Sequence, residues 1–197
     1  MKTTPSDVAF TPTVKAVQAR LGSRKGYARM EQQGGWATEI DADLAAFIAA
    51  QRSFFLGTAN AEGQPYIQHR GGPRGFLKVL GPRTLGFADF SGNRQYISVG
   101  NLADNAKVHL FLIDYAHRQR VKVWGTAKVI DDDPQLLARL SVPGGGKVER
   151  AIVIEVTAWD ANCPQHIPQL FDAGDVQAAL EQRDRRIAEL EAQLARR

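Results

Sequence analysis

The sequence is poor in cysteine and has no long hydrophobic run. Its one cysteine, Cys163, excludes a disulfide framework and a multi-cysteine metal site, and it fits a reducing compartment. No stretch approaches the ~18 consecutive apolar residues of a membrane-spanning helix. The first ten residues lack the apolar segment of a secretory signal. We therefore expect a cytoplasmic protein with no metal site and no membrane contact.

The composition is that of a globular protein. Of 197 residues, 44% are hydrophobic and 23% are charged, which suffices for one domain with a packed core and excludes a largely disordered chain. The 25 basic and 21 acidic residues leave a net charge of +4, which permits an anionic partner. The basic residues are scattered and do not alternate with aromatic ones, so nucleic-acid binding is not favoured.

Short alternating segments predict mainly β-structure. In residues 120–130, Val121 and Val123 share one face while Lys122 and Trp124 share the other. Further strands are predicted at 53–59, 65–70, 76–80, 84–89, 108–114 and 151–157. Short helices are predicted after Asp41, a helix-capping residue, and at Asp133-Pro134. Six or seven strands separated by turns favour an antiparallel barrel or sandwich over a doubly wound sheet.

The C-terminal segment has a helical pattern of a different kind. We place the domain at residues 1–172 and an amphipathic helix at 173–197. The apolar residues of that helix follow steps of four and three, with Arg183 in one slot: Val176, Leu180, Ile187, Leu190 and Leu194. So narrow a stripe cannot bury itself on a free helix. We expect it to pack on its own domain, on a second subunit or on another protein, and we favour the second subunit.

Three arginine-bearing clusters stand near strand ends. They are residues 66–73 with Gln68-His69-Arg70, residues 89–95 with Asn93-Arg94-Gln95, and residues 117–120 with Gln119-Arg120. Glycines after the first cluster allow a ligand close to the backbone. The second cluster precedes a predicted helix, where exposed amides with Asn and Arg suit a phosphate. Each cluster alone is typical of a solvated turn, but the three together predict a flat, anionic, hydrogen-bonding ligand.

The order of these elements resembles the FMN-binding split barrels of the pyridoxamine 5′-phosphate oxidase family, over residues 46–157. The opening strand and hairpin, the first two clusters, the segment 105–112 and the strand that begins Gln119-Arg120-Val121 follow one another as in that family. The last strand is similar to the family's Arg-Gln-Val-x-Val-x-Gly strand, with the first two residues exchanged.

The resemblance implies a mainly β (β+α) fold, a six-stranded antiparallel split barrel with flanking helices. It also implies a homodimer with FMN at the subunit interface. Gln68, His69 and Arg70 would lie beside the isoalloxazine and ribityl chain, and Asn93, Arg94 and Gln95 would hold the phosphate. Gln119 and Arg120 would come near the pyrimidine edge of the ring, where a positive group stabilises reduced flavin. The exchanged order leaves open which of these two faces the flavin.

The segment after residue 156 departs from the enzymes that name the family. Those enzymes end with Trp-x-x-Arg-like and Arg-Leu-x-Pro segments that complete the substrate site, whereas this chain has Trp159 alone. Vitamin B6 synthesis is therefore not predicted. The leading hypothesis is an oxidoreductase whose FMN passes electrons between a nicotinamide or flavin donor and a small molecule. The alternative is a non-enzymatic protein that stores or senses a flavin, or binds haem through an axial histidine.

The histidines offer few candidates for catalysis. No acid or base is assigned, and His69 is the best candidate for proton delivery beside the flavin. His109 alternates with core residues on a predicted strand, so we expect a structural histidine with its hydrogen bonds satisfied. Cys163 and His166 have C-x-x-H spacing, but two ligands do not make a zinc site.

Overall fold

The computed structural model describes residues 3–162 and 164–196; Cys163, with its C-x-x-H spacing, lies outside them. A 3₁₀ turn at Pro5–Val8 precedes the regular elements. The strands are β1 Ser53–Ala59, β2 Pro65–Gly71, β3 Leu77–Gly81, β4 Thr84–Phe90, β5 Lys107–Asp114, β6 Gln119–Ile130 and β7 Val148–Asn162. The helices are α1 Pro12–Arg20, α2 Arg24–Gln32, α3 Ala42–Ala50, α4 Ile97–Asp104, α5 Pro134–Leu140 and α6 Ala173–Leu194.

The strands form one antiparallel sheet in the order β2-β1-β5-β6-β7-β4-β3. The mainly β class with flanking helices is thus confirmed. The six strands implied by the family resemblance are one too few, because each of the seven alternating segments forms its own strand. In particular, Pro82 and Arg83 separate β3 from β4, and the two strands pair as a hairpin.

The chain divides into two compact units. Residues 1–113 and 120–162 make up the first, and residues 114–119 and 163–197 the second. The first unit holds most of the sheet and helices α1–α5, whereas the second contains α6. In the second unit, Arg118 Nε donates a hydrogen bond to the carbonyl of Ile167 at 3.1 Å. None of the helices in the described ranges has the length and apolar character that crossing a membrane requires.

The core of the first unit lies on one face of the sheet. Alternation puts Phe54 and Leu56 of β1 and Val123 of β6 into it, each at most 1% exposed. Leu44 and Ile48 of α3 join the same cluster. Full burial of such side chains contributes about 1.5–3 kcal/mol each.

The short helices begin where capping residues were predicted. The Asp41 side chain accepts a hydrogen bond from Leu44 N, and the Asp133 side chain accepts one from Leu136 N. Pro134 occupies the first turn of α5. These caps satisfy backbone donors that the helices cannot satisfy themselves.

Aromatic rings join the N-terminal segment to the outer face of β6. Trp36 stacks on Trp124 with ring centroids 4.6 Å apart, and Phe10 packs against Trp36 at 5.0 Å. Lys122 lies over both tryptophan rings and pairs with Asp160 at 3.2 Å. The face of β6 that carries Lys122 and Trp124 is therefore partly covered by the N-terminal segment.

Candidate functional site

A polar cavity of about 250 Å³ lies among β2, β4, β7 and the start of α4. Its lining consists of Tyr66, Gln68, Arg70, Asp89, Phe90, Gly92–Val99, Glu149 and Arg150. The two-residue period of a strand explains the contribution of β2, because Tyr66, Gln68 and Arg70 share its half-buried face. Ile67 and His69 occupy the exposed face of the same strand.

Two arginines of the polar cavity are held by one carboxylate. Arg70 Nη1 donates to Asp89 Oδ1 at 2.5 Å, and Arg150 Nη1 donates to Asp89 Oδ2 at 3.4 Å. The pairing of β4 with β7 places Asp89 directly opposite Arg150. Arg150 also donates from Nε to Asp131 at 3.2 Å. Both guanidinium groups are therefore fixed in position without a ligand.

An aromatic ring lies within cation–π distance of each of these guanidinium groups. The Arg70 guanidinium lies 5.6 Å from the ring centre of Phe87, and that of Arg150 lies 5.2 Å from Tyr96. Arg70 Nε is buried and has no hydrogen-bond partner within the described residues. A buried donor without a partner is costly, so this atom is available to a ligand acceptor.

The loop between β4 and α4 has an unusual backbone. Arg94 and Tyr96 adopt left-handed φ angles of 58° and 54°, which disfavour side chains other than glycine. Tyr96 caps α4 without a side-chain hydrogen bond, so the helix N-terminus has no internal cap. Ser98 Oγ donates to Gln68 Oε1 at 2.7 Å, which fixes the amide of Gln68. Strained residues of this kind cluster at binding sites.

Arg94 differs from the other two arginines. Its side chain makes no ion pair or hydrogen bond with any residue in the described part of the chain. The cavity therefore has three guanidinium groups and two carboxylates, Asp89 and Glu149. Asp131, which also pairs with Arg150, lies outside the lining. Arg94 is therefore the guanidinium group of the lining that no carboxylate of the described residues pairs with, and it precedes a helix N-terminus, where anions are favoured.

The structure brings five of the eight predicted site residues together. Gln68, Arg70, Asn93, Arg94 and Gln95 all line the polar cavity. His69 is exposed, lies edge-on to Phe55 at 5.7 Å, and lines a separate cleft of about 150 Å³ that also includes Arg70. Gln119 and Arg120 are the first residues of β6.

Three of the lining residues outside the predicted set, Asp89, Tyr96 and Arg150, hold the arginines of the polar cavity or shape its loop. Asp89 opens the second cluster of the sequence, and it could have been chosen because it is an acidic residue at the end of an otherwise apolar strand. Tyr96 and Arg150 carry no signal in the sequence, because their positions depend on a left-handed turn and on the register between β4 and β7.

A second, apolar cavity of about 530 Å³ lies on the outer face of the sheet. Among the residues that line it are Gly57, Ile67, His109, Trp124 and Gly125. Ile67 is 68% exposed. Tyr66 lines both this apolar cavity and the polar cavity, so the two are neighbours.

His109 is the principal polar group inside the apolar cavity. Its Nε2 is buried and has no hydrogen-bond partner within the described residues. The prediction of a structural histidine with its hydrogen bonds satisfied is therefore wrong. The cause is its surroundings, because the ring packs against Trp124 at 4.8 Å and its strand neighbour is Gly57. Burial, and secondarily the charge of Lys122, lowers the pKa of His109. The imidazole is therefore neutral at neutral pH.

Comparison with known proteins gives a family and a fold. A family model described as pyridoxamine 5′-phosphate oxidase matches residues 40–163. HupZ from Group A Streptococcus is similar in structure with 17% sequence identity and a TM-score of 0.52, over 67% of this chain and 99% of HupZ. An FMN-binding protein from Syntrophomonas wolfei subsp. wolfei has 12% identity and a TM-score of 0.47, over 74% of this chain and 97% of its own. No curated protein matches the chain.

Proposed function

Because the chain belongs to the pyridoxamine 5′-phosphate oxidase family, we propose that it is a flavoprotein whose polar cavity binds the phosphate of FMN. The observation that carries this proposal is Arg94, a guanidinium group without a partner among residues 3–162 and 164–196, beside the uncapped N-terminus of α4. We propose further that the protein is an oxidoreductase acting on a small molecule.

The charges of the polar cavity support the phosphate assignment. Asp89 neutralises part of the charge of Arg70 and Arg150 and holds both in place. Arg94 then remains as the cation that an incoming dianion would pair with, and charge-assisted hydrogen bonds of this type are the strong ones. Asn93 and Gln95 add neutral donors on the same loop.

The rest of the cofactor would extend from this loop along β2. Gln68, which Ser98 orients, and Arg70, whose Nε has no partner in the described part of the chain, would bind the ribityl chain and the ring. FMN, when bound, supplies hydride and electron transfer. The chain supplies binding, orientation and positive charge, and exposed His69 is the candidate for proton delivery.

We place the cofactor between two copies of the chain. Gln119 and Arg120 are outside the lining of the polar cavity, and we propose that they reach the FMN of a second subunit. The Nε of Arg120 supports this assignment, because it is buried and has no hydrogen-bond partner in the described part of the chain. Measuring the solution mass with and without FMN tests the homodimer, and a monomer at all concentrations would contradict it.

An absorption spectrum, recorded after FMN is added and the protein is desalted, tests the flavoprotein proposal. We expect retained near-ultraviolet and blue flavin bands. Arg94→Gln should weaken FMN binding about 10- to 100-fold, since a hydrogen bond to a charged group contributes about 1.5–3 kcal/mol. Arg20→Gln, an exposed arginine at the end of α1, is the matched control. Failure to retain FMN, or equal affinity in both variants, would contradict the proposal.

A second candidate function, haem binding in the apolar cavity, is favoured by the Nε2 of His109. A neutral imidazole nitrogen in apolar surroundings, without a partner among the residues that the structure describes, is suited to be an axial ligand. Lys107, which also lines the cavity, would pair with a propionate. Titration with haem should give a Soret band that His109→Gln abolishes and His69→Gln leaves unchanged. No band in the unmodified protein would exclude this candidate.

A further inference from the structure

Helix α6 carries an apolar stripe that is open to solvent. The helix has 22 residues, about 33 Å in length, and begins where the Asp172 side chain accepts a hydrogen bond from Gly174 N. Its stripe consists of Val176, Leu180, Ile187, Leu190 and Leu194, which are between 40% and 69% exposed. Helices in water derive most of their stability from packing such a face, so this stripe requires a partner.

The spacing of the stripe is that of a coiled-coil seam. Positions 176, 183 and 190 form one column and positions 180, 187 and 194 the other, in steps of four and three. They correspond to heptad positions d and a, respectively. Ile187 at an a position with Leu190 at the following d position is the combination that favours two parallel strands, whereas Leu180 and Leu194 at a and Val176 at d do not follow it. The seam is narrow enough for a facing helix to cover it.

The residues beside the seam determine what that helix is. Arg186 precedes an a position and Glu191 follows a d position, so they are the g and e residues that meet across a parallel pair. In a parallel pair of identical helices, each Arg186 faces Glu191 of the other copy, twice by symmetry. In an antiparallel pair with the same seam, Asp184 would face Asp184 and Arg186 would face Arg186. The charges thus favour the parallel arrangement of two copies.

Arg183 is the one polar residue in the seam. In a parallel pair in register, each Arg183 lies beside Asp184 of the other copy, which supplies a counter-charge. A single polar residue in the seam fixes the register at a cost in stability.

We propose that α6 forms a parallel, two-stranded coiled coil in register with α6 of a second copy of this chain. The coiled coil is independent of the proposed FMN site, since none of its residues lines either cavity. It makes the chain an oligomer through the helix of the second unit.

Disulfide trapping in the full-length protein tests the arrangement. With Cys163→Ser as the background, Leu190→Cys should cross-link to a covalent dimer under mild oxidation, because equivalent d residues come within disulfide range. Ala188→Cys, outside the seam, should remain uncross-linked. An absence of cross-linking in Leu190→Cys would overturn the proposal. So would cross-linking only when Leu180→Cys and Leu190→Cys proteins are mixed, because that result requires antiparallel helices.

Charge reversal tests the identity of the partner. Arg186→Glu and Glu191→Arg should each lower the cross-linking yield of Leu190→Cys several-fold, and the double reversal should restore it. Arg185→Glu, the same charge change outside the seam, should have little effect, with helix content checked by circular dichroism. Failure of the double reversal to restore the yield would overturn the pairing. FMN retention should be equal in all of these variants, which separates this proposal from the proposed function.

Discussion

Tyr66 lines both the polar and the apolar cavity, but the polar groups of the two cavities differ in whether the fold gives them a partner. In the polar cavity, the carboxylate of Asp89 holds two guanidinium groups in place before any ligand arrives. In the apolar cavity, the Nε2 of His109 is buried among rings and has no partner in the described residues. The polar cavity thus contains two cations that Asp89 compensates. The apolar cavity contains a histidine that burial keeps neutral.

This difference predicts where the molecule is most sensitive. Substitutions in the polar cavity should act through charge balance, and those in the apolar cavity should act through close packing and pH.

Removal of the shared carboxylate should have the largest effect. Asp89→Ala leaves Arg70 and Arg150 without their common counter-charge, and breaking a largely buried ion pair should lower the free energy of unfolding by about 2–4 kcal/mol. Asp131→Ala is the control, because Asp131 pairs with the same Arg150 but is 63% exposed, and should cost less than about 1 kcal/mol. Urea denaturation measures both, and equal losses would show that the polar cavity does not depend on charge compensation.

Replacing a glycine by alanine should lower the stability more in the apolar cavity than in the polar cavity. A Cβ at Gly125, which lines the apolar cavity at a bulge between β6 and β7, would overlap the carbonyl oxygen of Glu155. Gly125→Ala should therefore cost about 1–3 kcal/mol. At Gly92, in the polar cavity, the nearest atom is 3.9 Å away, so Gly92→Ala should change the stability by less than about 0.5 kcal/mol. Thermal unfolding of both variants checks the contrast, which a larger loss for Gly92→Ala would reverse.

Replacing Arg94 in the left-handed turn of the polar cavity by glycine should raise the stability of the protein and lower its affinity for FMN. Arg94→Gly removes the strain of a positive φ, and we expect a gain of about 0.5–1 kcal/mol after the entropy of glycine is counted. FMN affinity should fall at the same time. Arg94→Gln keeps the strain and loses the charge, so its stability should match that of the unmodified protein while its affinity also falls. A stability gain in both variants would mean that the charge, not the backbone, is unfavourable.

The smallest effect should come from the pH response of the apolar cavity. A lowered pKa means that the unfolded chain binds a proton more readily at His109 than the folded chain does. The stabilising contribution is present above the unfolded value of about 6.5 and is lost as pH falls towards the folded value. His109→Gln should remove this dependence, whereas His69→Gln should keep it. Identical profiles for all three proteins would contradict the assignment.

The sequence was sufficient for the strands and for part of the polar cavity. Alternation, short apolar runs and turn residues located all seven strands within a few residues. Asn93, Arg94 and Gln95 were found because a loop before a helix has a local signature. The same alternation could have separated His69 from Gln68 and Arg70, since adjacent residues of a strand face opposite sides.

What the sequence could not provide depends on contacts between distant residues. The register of β4 and β7 decides that Asp89 meets Arg150, and no local pattern encodes it. The unpartnered nitrogen of His109 depends on neighbours from other strands and from the N-terminal segment that brings Trp36 onto Trp124.

The pairing of Asp89 with Arg150 has a consequence for how the chain folds. These residues are 61 positions apart, whereas Arg70 and Asp89 are separated by only 19. Contacts between distant residues carry a larger loop-closure cost and form slowly. The contact of Arg70 in β2 with Asp89 in β4 can therefore form well before β7 reaches β4. The cation set of the polar cavity is complete only after that last closure. An anion bound there would therefore stabilise the finished fold over partly folded chains, and its retention would report that folding is complete.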